Sequence, residues 1–211
     1  MTTTRTGSDA EEIVPEGTGP PASIPAEVFD AAARTYLAGQ RLDMQSLART
    51  LGVGRATLYR HAGNRERLLD EVIWWRARLA LAAAATETAH LHGVPRMVGL
   101  IGSILRAVDA DPALHTFLEH DAEAALRILT GSRSVVQHGM SAALERMVDL
   151  EAQRGHFRTE LDTPTLAYAI VRVSEAFLYS DIIADRTPDI PRAVAVIEGL
   201  LRGLDRSAQP A

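Results

Sequence analysis

Seven consecutive residues, Arg55 to His61, contain two Arg, a Thr, a Tyr and a His, and no acid. Such side chains donate hydrogen bonds to phosphate oxygens. Arg can also read O6 and N7 of guanine with its planar fork. A helix is about 10–12 Å across, which suits the major groove of DNA and brings its N-terminal residues to the base edges. The N–H groups and dipole at that end favour phosphate as well. The stretch therefore points to nucleic-acid recognition.

No other grouping offers a competing chemistry. The chain has no Cys, so thiolate nucleophiles and disulfides are excluded. There is no GxSxG run and no Gly-rich phosphate loop, and the carboxylates are scattered as single charges. His90 and His92 fall on opposite sides of a helix, and His115 and His120 lie about 140° apart around one. Neither pair has the i, i+4 spacing of a helical metal site. No catalytic residue, metal or cofactor is expected. A helical ligand-binding enzyme and a purely structural module remain the rival classes; the acid-free face argues against both.

Other elements must position that face. Met44, Leu47, Ala48 and Leu51 mark a short helix with Asp43 as its cap. Gly52-Val53-Gly54 makes a turn into the basic segment, whose apolar residues are Val53 and Leu58. Ala48 is small where the two helices would cross. Upstream, Ser23 is the expected N-cap of a helix carrying Phe29, Ala32, Ala33 and Tyr36 on one face, stopped by Gly39. Downstream, Gly63-Asn64 breaks the basic helix, and Asn64 caps a long one from Arg65 to about His90. Further helices are expected over Arg96–Val108, Pro112–Leu129, Arg133–Arg154, Pro164–Ala184 and Pro191–Leu204. No period-2 pattern marks a strand. The expected fold is all-α, with about nine helices: a three-helix head and a larger helical C-terminal domain. Expected boundaries are a disordered arm over 1–22, rich in Thr, Gly, Pro and Glu, a head over 23–70 and a domain over 71–211.

The formal net charge of −5 conceals a local excess of the opposite sign. Residues 24–78 carry nine Arg against six acids, whereas residues 79–211 carry twelve Arg against seventeen acids. A local basic surface is what attracts phosphate. Met1 to Gly19 has no apolar run of the secretory kind. The apolar stretch Leu79–Ala85 is too short to span a bilayer. A soluble, cytoplasmic protein without membrane association is expected.

The run Leu42–Trp75, LDMQSLARTLGVGRATLYRHAGNRERLLDEVIWW, resembles the signature of the TetR family of transcriptional regulators. The matching positions are Ala48, Gly52, Val53, Thr57, Leu58, Tyr59, His61 and Arg65. Phe29, Ala33 and Gly39 fit the family's first helix, so the likeness covers Ser23 to about Trp75. It implies a helix-turn-helix in which Tyr59, His61 and Arg65 contact phosphates, joined by Thr57 and Gln45, while Arg55 contacts a base. Two positions depart from the pattern. Gly54 stands where a Ser or Thr cap is common. Ala62 stands where Phe is usual, which leaves space for Trp74 or Trp75 to fill.

The resemblance also implies a homodimer formed through the last two long helices, a double-stranded operator and a small-molecule effector. Leu166, Ile170, Val173 and Phe177 make a stripe on one of those helices; Val194, Ile197, Leu201 and Leu204 make one on the other. Dimer contact and monomer core are both open readings of these stripes. Candidate ligand-lining residues are Trp75, Phe117, Tyr168, Phe177 and Tyr179, with plain core packing as the competing reading. Candidate polar anchors are His115, His120, Asp121, Arg172 and Glu175, with solvated or capping roles as the alternative. Trp74-Trp75 and the Ala-rich long helix resemble the subgroup that controls quorum-sensing lactone degradation.

Overall fold

The computed structural model describes residues 12–14, 19–184 and 186–207. Most of the expected arm, 1–11 and 15–18, lies outside the described residues. Ile13 does not fit that expectation: it is buried, and its carbonyl accepts the Arg146 Nε–H at 3.1 Å.

All regular structure among the described residues is helical. The helices are α1 (Ala26–Leu37), α2 (Met44–Thr50), α3 (Arg55–Ala62), α4 (Arg65–Glu87), α5 (Gly93–Asp109), α6 (Pro112–His120), α7 (Ala122–Thr130), α8 (Val135–Gln153), α9 (Thr163–Ile183) and α10 (Ile190–Leu204). No described helix is long and apolar enough to cross a membrane.

The chain forms two compact units. The head unit joins residues 19–77 to 111–138. In it α1 packs on α2 and α6, α2 on α3, and α6 on α7. Phe29, Leu58, Leu68 and Val72 are at most 2% exposed, so α1, α3 and α4 all supply its core. The second unit joins 78–110 to 139–207, where α10 packs on α5 and α9. Its core includes Leu81, Met97, Met147, Phe157, Leu166 and Leu201. α4 and α8 each contribute residues to both units.

Local rules explain several boundaries. The Asp43 carboxylate accepts the Ser46 N–H at 2.7 Å, and Asn64 Oδ1 accepts the Arg67 N–H at 2.8 Å, as expected of N-caps. Gly52 closes α2 with φ +66°. Its N–H reaches Arg49 O, and the Val53 N–H reaches Ala48 O at 3.1 Å, the paired closure that left-handed glycine permits.

Three expectations need correction. Ser23 is not the cap of α1: the helix begins after Pro25, without a side-chain cap. Ile24 precedes a proline and is therefore disfavoured in helical conformation. Pro95 does not precede α5 but lies in its first turn, where no intrahelical N–H bond is lost. The expected helix Pro112–Leu129 is two helices, parted at Asp121, whose φ of −151° is non-helical.

Asp70 joins the core of α4 to the start of α8. It is buried and accepts from Ser134 Oγ (2.9 Å), Val135 N (2.8 Å) and Val136 N (3.2 Å). Substituting Asp70→Ala strands these donors, so urea unfolding is expected to show a stability loss of about 2–3 kcal/mol.

Candidate nucleic-acid interface

α3 turns one narrow face inward. Leu58 and Ala62, one turn apart, are both fully buried, and Leu47 and Ala48 of α2 are buried with them. Tyr59 is 43% exposed, a large aromatic left in solvent. Arg55, Arg60 and His61 are exposed, as is Gln45 in the first turn of α2, while Thr57 is half-buried. No side chain caps the first turn of α3, because Gly54 occupies the cap position. The N–H groups of that turn stay open to an external acceptor. Of the six expected DNA contacts, Gln45, Arg55, Tyr59 and His61 thus share exposure around the helix-turn-helix.

Arg65 is placed differently. Its Nε–H donates to Leu42 O at 2.9 Å, and its Nη1 donates to Asp121 Oδ2 at 2.8 Å. The guanidinium lies 5.9 Å from the centre of the Phe117 ring. Only 22% of the side chain is exposed. Arg65 therefore fixes the start of α4 to the residue that leads into α2 and to the junction of α6 and α7. Sequence reading missed this role for Asp121, which lies 56 residues away and carries no local signal.

The acid nearest the start of α2 is also committed. The Ser46 hydrogen bonds hold the Asp43 carboxyl below the usual carboxylate range, so it stays ionised as a cap.

The expected ligand residues divide between the units. In the head unit, Trp75 meets Phe29 edge-on at 5.8 Å and Phe117 meets Tyr36 at 6.4 Å. Trp74 is buried. His120 is exposed, with Nδ1 2.8 Å from Thr116 O. In the second unit, Tyr168 is 56% exposed beneath the Arg172 guanidinium, 5.0 Å away. Arg172 pairs with Glu175 at 2.8 Å, and Phe177 is half-buried. Burial pushes the Glu175 carboxyl up, against the pull of Arg172. Burial also raises the Tyr179 hydroxyl well above its ordinary value. A groove of about 450 Å³ on the head and a pocket of about 400 Å³ in the second unit are lined by none of the expected ligand residues.

Leu166, Ile170, Ile197 and Leu201, four members of the two expected stripes on α9 and α10, are buried within the chain itself. Tyr168 on α9 and Val196 on α10 are large apolar residues left exposed.

A family model described as tetracyclin repressor-like, C-terminal domain, matches residues 92–202, over half of the chain. The chain belongs to the TetR family. This match covers α5 to α10, beyond the likeness read in the sequence over Ser23 to about Trp75. Among solved structures, the TetR-family transcriptional repressor QsdR of R. erythropolis superposes with a TM-score of 0.75 at 27% identity. That likeness covers 85% of this chain and 94% of QsdR. The fatty acid degradation regulator FadR of Bacillus halodurans shares the fold at a TM-score of 0.55 and 19% identity, covering 84% of this chain and 93% of its own. FadR of Bacillus subtilis, solved with stearoyl-CoA, gives 0.56 and 14%, covering 83% and 96%. No curated protein matches the chain. TetR-family members and these neighbours are transcriptional regulators rather than enzymes.

In this TetR-family head, Arg65→Ala would strand the Leu42 carbonyl and the Asp121 carboxylate. The expected stability loss is about 1–3 kcal/mol, whereas exposed Arg60→Ala should stay within about 0.5 kcal/mol of the parent. Urea denaturation of the two variants side by side checks the contrast.

Proposed function

We infer that this TetR-family regulator is a sequence-specific repressor that binds a palindromic operator as a homodimer and is released by a small apolar or amphipathic ligand. The acid-free, solvent-facing surface of α3 carries the reading. Arg55, in the first turn of α3, reads a guanine edge. Tyr59 and His61, with Thr57 and Gln45, contact phosphates and set the register of the helix in the groove. Arg65 orients the head and offers its remaining N–H groups to the backbone. The likeness to QsdR supports the repressor assignment and the subgroup reading, control of quorum-sensing lactone degradation.

The dimer forms through α9 and α10, and exposed Tyr168 and Val196 support that choice of surface. Two-fold symmetry then sets the two α3 helices about one DNA turn apart. The ligand enters the helical C-terminal domain, where Tyr168, Arg172 and Phe177 are the residues to test; the other three expected ligand residues, Trp75, Phe117 and His120, belong to the head unit. Release requires that the ligand bind the DNA-incompetent state more tightly than the competent one. α4 is the covalent route between them, since it carries residues of both units. The regulator works in the cytoplasm.

Selection of bound fragments from genomic DNA of the source organism, at physiological salt, tests the proposal. The parent protein should enrich one palindromic site. Arg55→Ala should lose about 1–3 kcal/mol of discrimination at one base position in each half-site, while Tyr59→Phe should weaken binding to every sequence alike. Absence of enrichment by ligand-stripped parent protein would overturn the repressor reading. Unchanged selectivity in Arg55→Ala would move base reading to another residue.

A further inference from the structure

The second unit holds a side-chain cluster that DNA recognition does not use. His92, Glu151 and His156 each present a ligand atom, and these atoms lie within 4.8 Å of one another. The backbone brings them together from the two long segments of the unit. His92 is the extended residue before α5, and its side chain makes no capping hydrogen bond. Glu151 lies in the last turn of α8. Beyond it the Gly155 N–H donates to Ala152 O and the His156 N–H to Glu151 O at 2.9 Å, which folds His156 back beside Glu151. The His92 and His156 rings are 4.6 Å apart. Gly93 permits this approach: its φ is +58°, and an added Cβ would stand 2.5 Å from His156 O.

The electrostatics suit a cation. Glu151 is fully buried, and Arg96 at 2.9 Å and the Gly93 N–H fix its carboxyl group in place. His156 Nδ1 is buried 3.3 Å from Glu151 Oε2 but forms no hydrogen bond. A buried ring nitrogen beside a carboxylate, without a hydrogen bond, is an unsatisfied polar atom that a bound cation would engage. A pocket of about 400 Å³ opens beside both histidines and gives entry for an ion and its water. Arg202 on its wall is already paired with Glu198 at 2.7 Å.

We propose that His92, Glu151 and His156 form a three-ligand site for a divalent transition-metal ion, Zn²⁺ by preference, tying the start of α5 to the end of α8. Two imidazoles and one carboxylate match the borderline metals. Ca²⁺ and Mg²⁺ require shells of oxygen and are disfavoured. Tetrahedral zinc needs ligand atoms about 3.3 Å apart; exposed His92, at the end of a loop, can close that gap by rotating. Water completes the shell.

Cobalt titration of the tag-free, metal-stripped full chain tests the site. One equivalent of Co²⁺ should produce the visible absorption of a four-coordinate ion, which Zn²⁺ then abolishes. His92→Ala and His156→Ala should each weaken binding by more than about tenfold. His90→Ala, an exposed neighbour outside the cluster, should bind like the parent. Zn²⁺ should raise the melting temperature of the parent and of His90→Ala, but of neither ligand variant. Circular dichroism identifies a variant that fails to fold; Gln at the same position then replaces Ala. The site is overturned if the parent shows neither the absorption nor the melting shift, or if folded His92 and His156 variants retain both.

Discussion

An eight-residue helix such as α3 is far below the length at which a helix persists alone. The direction of its exposed face is therefore set by whatever clamps its ends. Upstream, the Gly52 closure fixes the angle from α2. Along its length, Leu58 and Ala62 sink into the head. Downstream, the guanidinium of Arg65 draws the start of α4 onto Leu42 O, the residue leading towards α2, so the helix-turn-helix is bracketed by one side chain. The same guanidinium binds Asp121, where α6 ends and α7 begins. A planar fork can serve two acceptors in different directions at fixed angles; an ammonium group on a flexible stem would not impose that geometry.

The second unit repeats the device at lower exposure. Arg96 and Glu151 are both fully buried, 55 residues apart in sequence. A buried ion pair is a poor source of net stability, because desolvating both charges offsets much of their attraction. What it supplies here is placement. With Glu151 fixed by Arg96, its second oxygen fastens the first N–H of α5 and stands beside His156. In both units an arginine reaching across a long stretch of chain fixes where a helix begins.

These long reaches separate what the sequence discloses from what it conceals. The caps at Asp43 and Asn64 and the turn at Gly52 depend on neighbours within five residues, and each is legible from residue type. The outward face of α3 is legible because Leu58 and Ala62 share one side of a single helix. Ser23 misleads, since a cap residue signals nothing about the proline two positions later. The break at Asp121 is hidden, because its partner belongs to another helix. Trp75 and Phe117 show the same limit: an aromatic residue looks alike in sequence whether it lines a pocket or packs on Phe29 or Tyr36. His92 and His156 fall on different elements, so helical spacing cannot pair them.

The basic character of α3 also arises from how the head disposes of its acids. Residues 24–78 contain six carboxylates, enough to neutralise much of the arginine around them. Asp43 is spent on the N–H groups of α2, Asp70 on those of α8, and Glu66 pairs with Arg127 at 2.9 Å. Asp121 and Asp111, from outside that segment, take up Arg65 and Arg76. The arginines of α3 face solvent with no acid on their own helix. That helix therefore presents positive charge with no acid of its own, within a segment whose linear excess is small. Phosphate is attracted by that local field, which decays within about 10 Å in moderate salt, and much less by the net charge of the chain.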